Sequence, residues 1–223
     1  DGNSLAAFLA RAENSRDPAV LVLPDVHGLY PFYEELACRF AEVGYDSVAI
    51  DYFGRSAGVG KRDDEFPFMD HVQQSTFEGV KADCAAAVGY LRKDDPKRAV
   101  FTIGFCFGGS NSWHQAANGL GLTGAIGFYG HPNRVFPQGA TPMVQRVGEI
   151  GCPILGLMGG ADPGIPQEEI DDYSTALTGA GVPHELHVYP GAPHSFFDRS
   201  YEQFADDSTD AWRRVLTFIE ANS

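Results

Sequence analysis

Short, apolar, β-branched runs alternate with longer stretches of helical spacing along most of this chain, and that alternation leaves few architectures open. The runs are Ala19–Leu23, Ser47–Ile50, Arg98–Ile103, Gly124–Tyr129, Pro153–Met158 and Glu185–Tyr189. Between most of them lie Phe32–Val43, Gln73–Leu91, Ser110–Asn118, Gln167–Leu177 and Phe204–Ala221. In the last stretch Trp212, Val215, Leu216 and Ile219 recur at three- and four-residue steps, which gives a helix one apolar face. Strand and helix in turn imply parallel pairing through crossover helices, so the expected fold is α/β, a doubly wound, mainly parallel sheet flanked by helices. No repeat, low-complexity segment or Pro/Gly/Ser linker divides the sequence, and residues 1–223 read as a single domain. Two segments read differently: the spacing of Leu5, Phe8 and Leu9 in Leu5–Ala12 suits a helix, and Gly54–Asp70 reads as a long loop that could wall a site.

Charge narrows the function. Lys and Arg number 16 against 30 Asp and Glu, a net charge of −14. Phosphate binding needs a basic footprint that this total does not supply, and an anionic membrane surface is disfavoured for the same reason. Hydrophobic residues at 43% are enough to bury a sizeable core. The longest uncharged stretch, Ala99–Asn133, is broken too often by Gly, Ser, Asn, Gln and His to span a bilayer and reads as a buried segment carrying a site. Cys38, Cys84, Cys106 and Cys152 are far apart and form no C-x-x-C pair. They read as reduced thiols of a cytoplasmic protein.

The segment Gly104-Phe105-Cys106-Phe107-Gly108 carries the chemistry. A β-branched run ends at Gly104 and a helical pattern begins just beyond Cys106, the context of a G-x-S-x-G nucleophile elbow with Cys in place of Ser. The flanking glycines are needed because side chains there would collide with the strand and helix of the sharp turn. A helix N-terminus beside the sulfur favours its thiolate. A buried core cysteine on a glycine-rich turn is the alternative. On an α/β-hydrolase the partners follow in the order nucleophile, acid, histidine. Asp162 lies just past the run ending at Met158, and His194 in the loop after the next strand. Three such residues, each just past a strand end and in the required order, make coincidence a poor explanation.

These motifs resemble the dienelactone hydrolase family of α/β-hydrolases from about Leu5 to the C-terminus. The resemblance rests on Cys106 in G-x-C-x-G, Asp162 in Gly159-Gly160-Ala161-Asp162, and His194-Ser195-Phe196, although two residues rather than one separate Gly191 from His194. It implies a strand at Leu5–Ala12, against the spacing. It further implies that Asp25, where the family has Glu, accepts the thiol proton, and that the backbone N–H groups of Val26 and Phe107 form the oxyanion hole. Arg62 and Arg199 stand in for the family's carboxylate-binding arginines, though Arg199 follows His194 by five residues rather than four, where this chain has Asp198. Tyr129 corresponds to an aromatic of the site wall.

The function so implied is cysteine-dependent hydrolysis of a lactone or ester of a small carboxylic acid, with or without a carboxylate on the substrate. A broad carboxylesterase or thioesterase with the same three residues is the alternative enzyme, and a non-catalytic binding protein the alternative class. No cofactor, metal, nucleic-acid or membrane partner is expected, and the chain would be a monomer or small homo-oligomer. Three other signals lead nowhere. Gly119-Leu120-Gly121-Leu122-Thr123-Gly124 runs from helix into strand, the wrong polarity for a pyrophosphate. His184 and His187 face opposite sides of a strand and cannot share a metal. Glu168, Glu169, Asp171 and Asp172 complement a helix start.

Overall fold

The computed structural model describes residues 1–63 and 65–223. Its seven strands are β1 (Ala7–Ala10), β2 (Ala19–Leu23), β3 (Asp46–Ile50), β4 (Val100–Phe105), β5 (Gly124–Phe128), β6 (Ile154–Gly159) and β7 (His184–Tyr189), in the spatial order β1-β3-β2-β4-β5-β6-β7. All neighbours run parallel except β1, which pairs antiparallel with β3 at the edge. The helices are α1 (Pro31–Glu42), α2 (Gly54–Ala57), α3 (Phe68–Gln74), α4 (Phe77–Leu91), α5 (Phe107–Ala116), α6 (Gln167–Gly179) and α7 (Ala205–Asn222). The expected α/β class is therefore the observed one. No helix among the described residues is long and apolar enough to cross a membrane.

The central strands β2, β4, β5 and β6 are buried along their whole length, because helices cover both faces. On one face α1 and α7 meet through Phe40 and Trp212, whose rings lie 4.9 Å apart. Every residue of α5 is buried. It is seated by Trp113, which lies over Gly127 of β5 and donates its indole N–H to the Leu155 carbonyl at 3.3 Å. A Cβ at position 127 would come within 2.4 Å of that indole, so the glycine is what lets the helix approach the sheet.

Three local expectations change. Leu5–Ala12 is a strand at Ala7–Ala10, as the family resemblance implied and against the helical spacing, since pairing with β3 satisfies its backbone where so short a helix would leave most of it bare. The single helix expected at Gln73–Leu91 is two, because Ser75 is extended and Thr76 caps a new start, its hydroxyl accepting the Gly79 N–H at 3.1 Å. The Gly54–Asp70 loop opens with α2 and runs into α3, its residue 64 lying outside the described residues. Its far end reaches the site: the Phe68 ring stands 4.0 Å from that of His27.

Strand order reverses between β2 and β4. After β2 the chain moves outward to β3, then crosses back to β4 and continues the other way. In open α/β sheets the crevice at such a reversal, beyond the carboxyl ends of the strands, is where ligands bind. The turn from β4 into α5 lies there and depends on two close approaches. A methyl group at Gly104 would lie 1.9 Å from the Gly108 carbonyl oxygen, and one at Gly108 would lie 2.1 Å from the Leu23 oxygen. Both obstacles are backbone and cannot swing aside. Gly104→Ala is expected to cost more than about 3 kcal/mol, read as the shift in a urea unfolding midpoint; a loss below about 1 kcal/mol would mean the turn relaxes more easily than the geometry allows.

Candidate active site

Cys106 sits at the N-terminus of α5 with φ 54° and ψ −111°, a left-handed conformation that costs a non-glycine residue strain. The surroundings hold it there: its N–H donates to the Phe128 carbonyl at 3.0 Å, and its carbonyl accepts the Ser110 N–H at 3.2 Å. The side chain is partly exposed at the top of the sheet.

Asp162 and His194 are brought together because the loops after β6 and β7 are bonded to each other. Gly160 N–H donates to Tyr189 O at 2.7 Å and Ala161 N–H to Ala192 O at 2.9 Å. Asp162 is buried, with Oδ1 accepting the Gly164 N–H at 2.8 Å and Oδ2 lying 2.5 Å from His194 Nδ1. A carboxylate only accepts, so Nδ1 carries the proton and Nε2 is left for chemistry. Burial by itself lowers the His194 pKa, but the bond to Asp162 and the nearby Cys106 sulfur outweigh it and raise the value to about 10. The ring is therefore an imidazolium at neutral pH. Burial raises the Asp162 carboxyl, yet His194 and the Gly164 N–H bring it net below its ordinary value.

The β2 loop supplies a second group. Three of its four backbone N–H groups are used internally: Asp25 donates to the Tyr33 hydroxyl, His27 to Asp25 Oδ1, and Gly28 to Asp25 O. Among the described residues the Val26 N–H donates to no protein group, nor does that of Phe107, the first residue of α5. Asp25 is buried, with Oδ1 taken by the His27 N–H at 2.8 Å and His27 Nδ1 at 3.2 Å, and Oδ2 facing the Arg199 guanidinium at 3.5 Å. Tyr129, fully buried at φ 37°, places its ring 4.9 Å from that of His194.

One expected contact is lost. Arg62 is buried and bidentate on Asp51, at 3.1 Å through Nε and 2.8 Å through an Nη, and also donates to the Gly58 carbonyl. Asp51 in turn accepts the Leu29 and Phe53 N–H groups, so this ion pair braces the loops after β2 and β3 and is not free to bind a substrate carboxylate. Two residues that sequence reasoning gave no role stand near the site. His131 is buried with its ring 6.1 Å from His194, pinned by Ser110, whose hydroxyl oxygen accepts its N–H at 2.7 Å. Burial lowers its pKa to about 4, which keeps it neutral. Its position two residues beyond Tyr129, past the same strand, was the available signal. Asp198 is the other.

Comparison with known proteins shows the family. The dienelactone hydrolase family model matches residues 5–223. The chain belongs to the dienelactone hydrolase family. It is an ester or lactone hydrolase of the α/β-hydrolase fold. A protein of Saccharolobus solfataricus assigned as a carboxymethylenebutenolidase is 30% identical over 98% of this chain and 95% of its own length. A similarly assigned protein of Methylorubrum extorquens is 29% identical over 92% of this chain and 72% of its own length. The crystal structure of a protein of Klebsiella pneumoniae subsp. pneumoniae, assigned as a dienelactone hydrolase, superposes with a TM-score of 0.84 at 27% identity, covering 96% of this chain and 91% of the other.

Proposed function

We propose that this family member hydrolyses its ester or lactone through a thioester on Cys106. The observation that carries the reading is the convergence of Asp162, His194 and Cys106, with His194 bonded to Asp162 and its pKa raised by Asp162 and the Cys106 sulfur. The thiol proton is assigned to His194. Asp25, expected from the family to take it, has Oδ1 engaged by His27 and Oδ2 set against Arg199, which suits it to fixing those two side chains.

The thiolate attacks the carbonyl carbon, and the C=O pair moves onto oxygen, where the Val26 and Phe107 N–H groups receive it; each such donor is worth about 3 kcal/mol in the transition state. The intermediate collapses as the C–O bond breaks, and the leaving alkoxide or enolate takes the His194 proton. His194, now neutral and oriented by Asp162, removes a proton from water, and the hydroxide cleaves the thioester to carboxylic acid and free Cys106.

Acid-quenched turnover of 4-nitrophenyl acetate is expected to leave one acetyl group on the peptide containing Cys106, removable by hydroxylamine, when read by mass spectrometry. An adduct on another residue during full turnover would replace Cys106 as nucleophile.

A further inference from the structure

Behind Tyr129 stands a buried acid that the mechanism does not use. Asp198, in the loop of His194, is 5% exposed. Its Oδ1 accepts the Arg199 backbone N–H at 2.6 Å, while Oδ2 is buried without a hydrogen-bond partner among the described residues. The Tyr129 hydroxyl is buried in the same condition, and the two groups perturb each other electrostatically. Tyr129 reaches from there to the His194 ring, so Asp198 lies one side chain away from the reacting atoms.

The groups facing Asp198 come from every element around it: Asp25 after β2, Tyr30 and Tyr33 at the start of α1, Tyr129 after β5, and Arg199 in its own loop. Burial, reinforced by Asp25, raises its carboxyl to about 6 against the pull of the Arg199 N–H, Tyr129 and the Arg199 charge. Positive charge to balance two carboxyls is scarce. Arg62 is committed to Asp51, His131 is neutral, the His194 imidazolium is set against Asp162, and the Arg199 guanidinium sits against Asp25 and over the Tyr30 ring. Where buried side chains exclude part of the water, a third carboxylate brought by the substrate meets repulsion that water would otherwise screen.

We propose that Asp198 is a specificity determinant that selects substrates with an uncharged acyl group and disfavours carboxylate-bearing esters and lactones. This rests on the hydrolase reading above. Selection of this kind works by placing a like charge against the wrong substrate.

The test compares ethyl butyrate with monoethyl succinate, which share a leaving group and differ by one carboxylate, ionised throughout the range used. At pH 8 kcat/KM is expected to favour the butyrate by about tenfold or more. Below about pH 6 Asp198 gains its proton, so the ratio is expected to fall severalfold by pH 5.5. Asp198→Asn is expected to flatten this pH dependence. Because each ratio is taken within one protein sample, partial unfolding of the variant cancels, and a merely structural role would not move the profile. Equal rates at pH 8, a pH-independent ratio in the unmodified protein, or an unchanged profile in Asp198→Asn would each overturn the proposal. Failure to hydrolyse either ester would instead remove the hydrolase reading and this inference with it.

Discussion

Cys106→Ala is expected to reduce hydrolysis of a simple ester by on the order of 10⁴-fold or more, the scale on which loss of a covalent nucleophile is felt in enzymes of this type. On the proposed mechanism, what remains is bound substrate facing two N–H donors and an imidazolium, with no atom to form the acyl intermediate. The substitution keeps the Cβ, so the φ of 54° and the hydrogen bonds to Phe128 and Ser110 are retained, and circular dichroism should not change. Initial rates on 4-nitrophenyl acetate are the measurement. A variant keeping a tenth of the activity would show that water is activated directly and that no thioester is needed. Cys106→Ser is the less decisive exchange, since a hydroxyl in the same place has some nucleophilic capacity of its own.

The turn that presents Cys106 was legible because its constraints are local. Gly104 and Gly108 are required by backbone atoms a few ångströms away, and such requirements leave their mark as fixed spacing. The strands were legible for a related reason: burial on both faces demands continuous apolar runs, and β2, β4, β5 and β6 all show them. Edge strand β1 was not, since only one neighbour fixes it and its pattern is half exposed. Arg62 illustrates the limit more sharply. Its distance from the other motifs permitted a role in the site, and only the fold reveals Asp51 lying opposite it. Asp198 was visible as a departure from the family's arginine spacing, but what that departure means depends on Tyr129 and Asp25, which come from two other strand ends. Long-range pairing of polar side chains is the information that periodicity does not carry.

The largest effect after the nucleophile is expected from Asp162→Asn, about 10²- to 10⁴-fold in kcat/KM. Asp162 fixes His194 by accepting from Nδ1, and an amide at that place can turn its NH₂ toward the ring and reverse which nitrogen holds the proton. The pH dependence separates this from a general loss of structure. In the unmodified protein His194 stays protonated until about pH 10, so protonation of the leaving group should fail only near that value. Removing the carboxylate takes away the foremost cause that raises the ring's pKa, and the alkaline limb of kcat/KM should move toward neutral pH. Stability follows the same pair with opposite signs for its two members. A raised His194 contributes stability that is fully present below its ordinary 6.5 and is lost as pH climbs through about 10. A lowered Asp162 contributes stability that is present above its ordinary 3.8 and is lost as pH falls through its depressed value. The Asn variant should therefore lose the most stability between pH 3.8 and 6.5, in the mildly acidic range, progressively less as pH rises from there toward 10, and the least in strong acid or strong alkali. Urea midpoints measured across pH for both proteins test this, and a destabilisation uniform in pH would show that the Asp162–His194 contact is packing rather than charge.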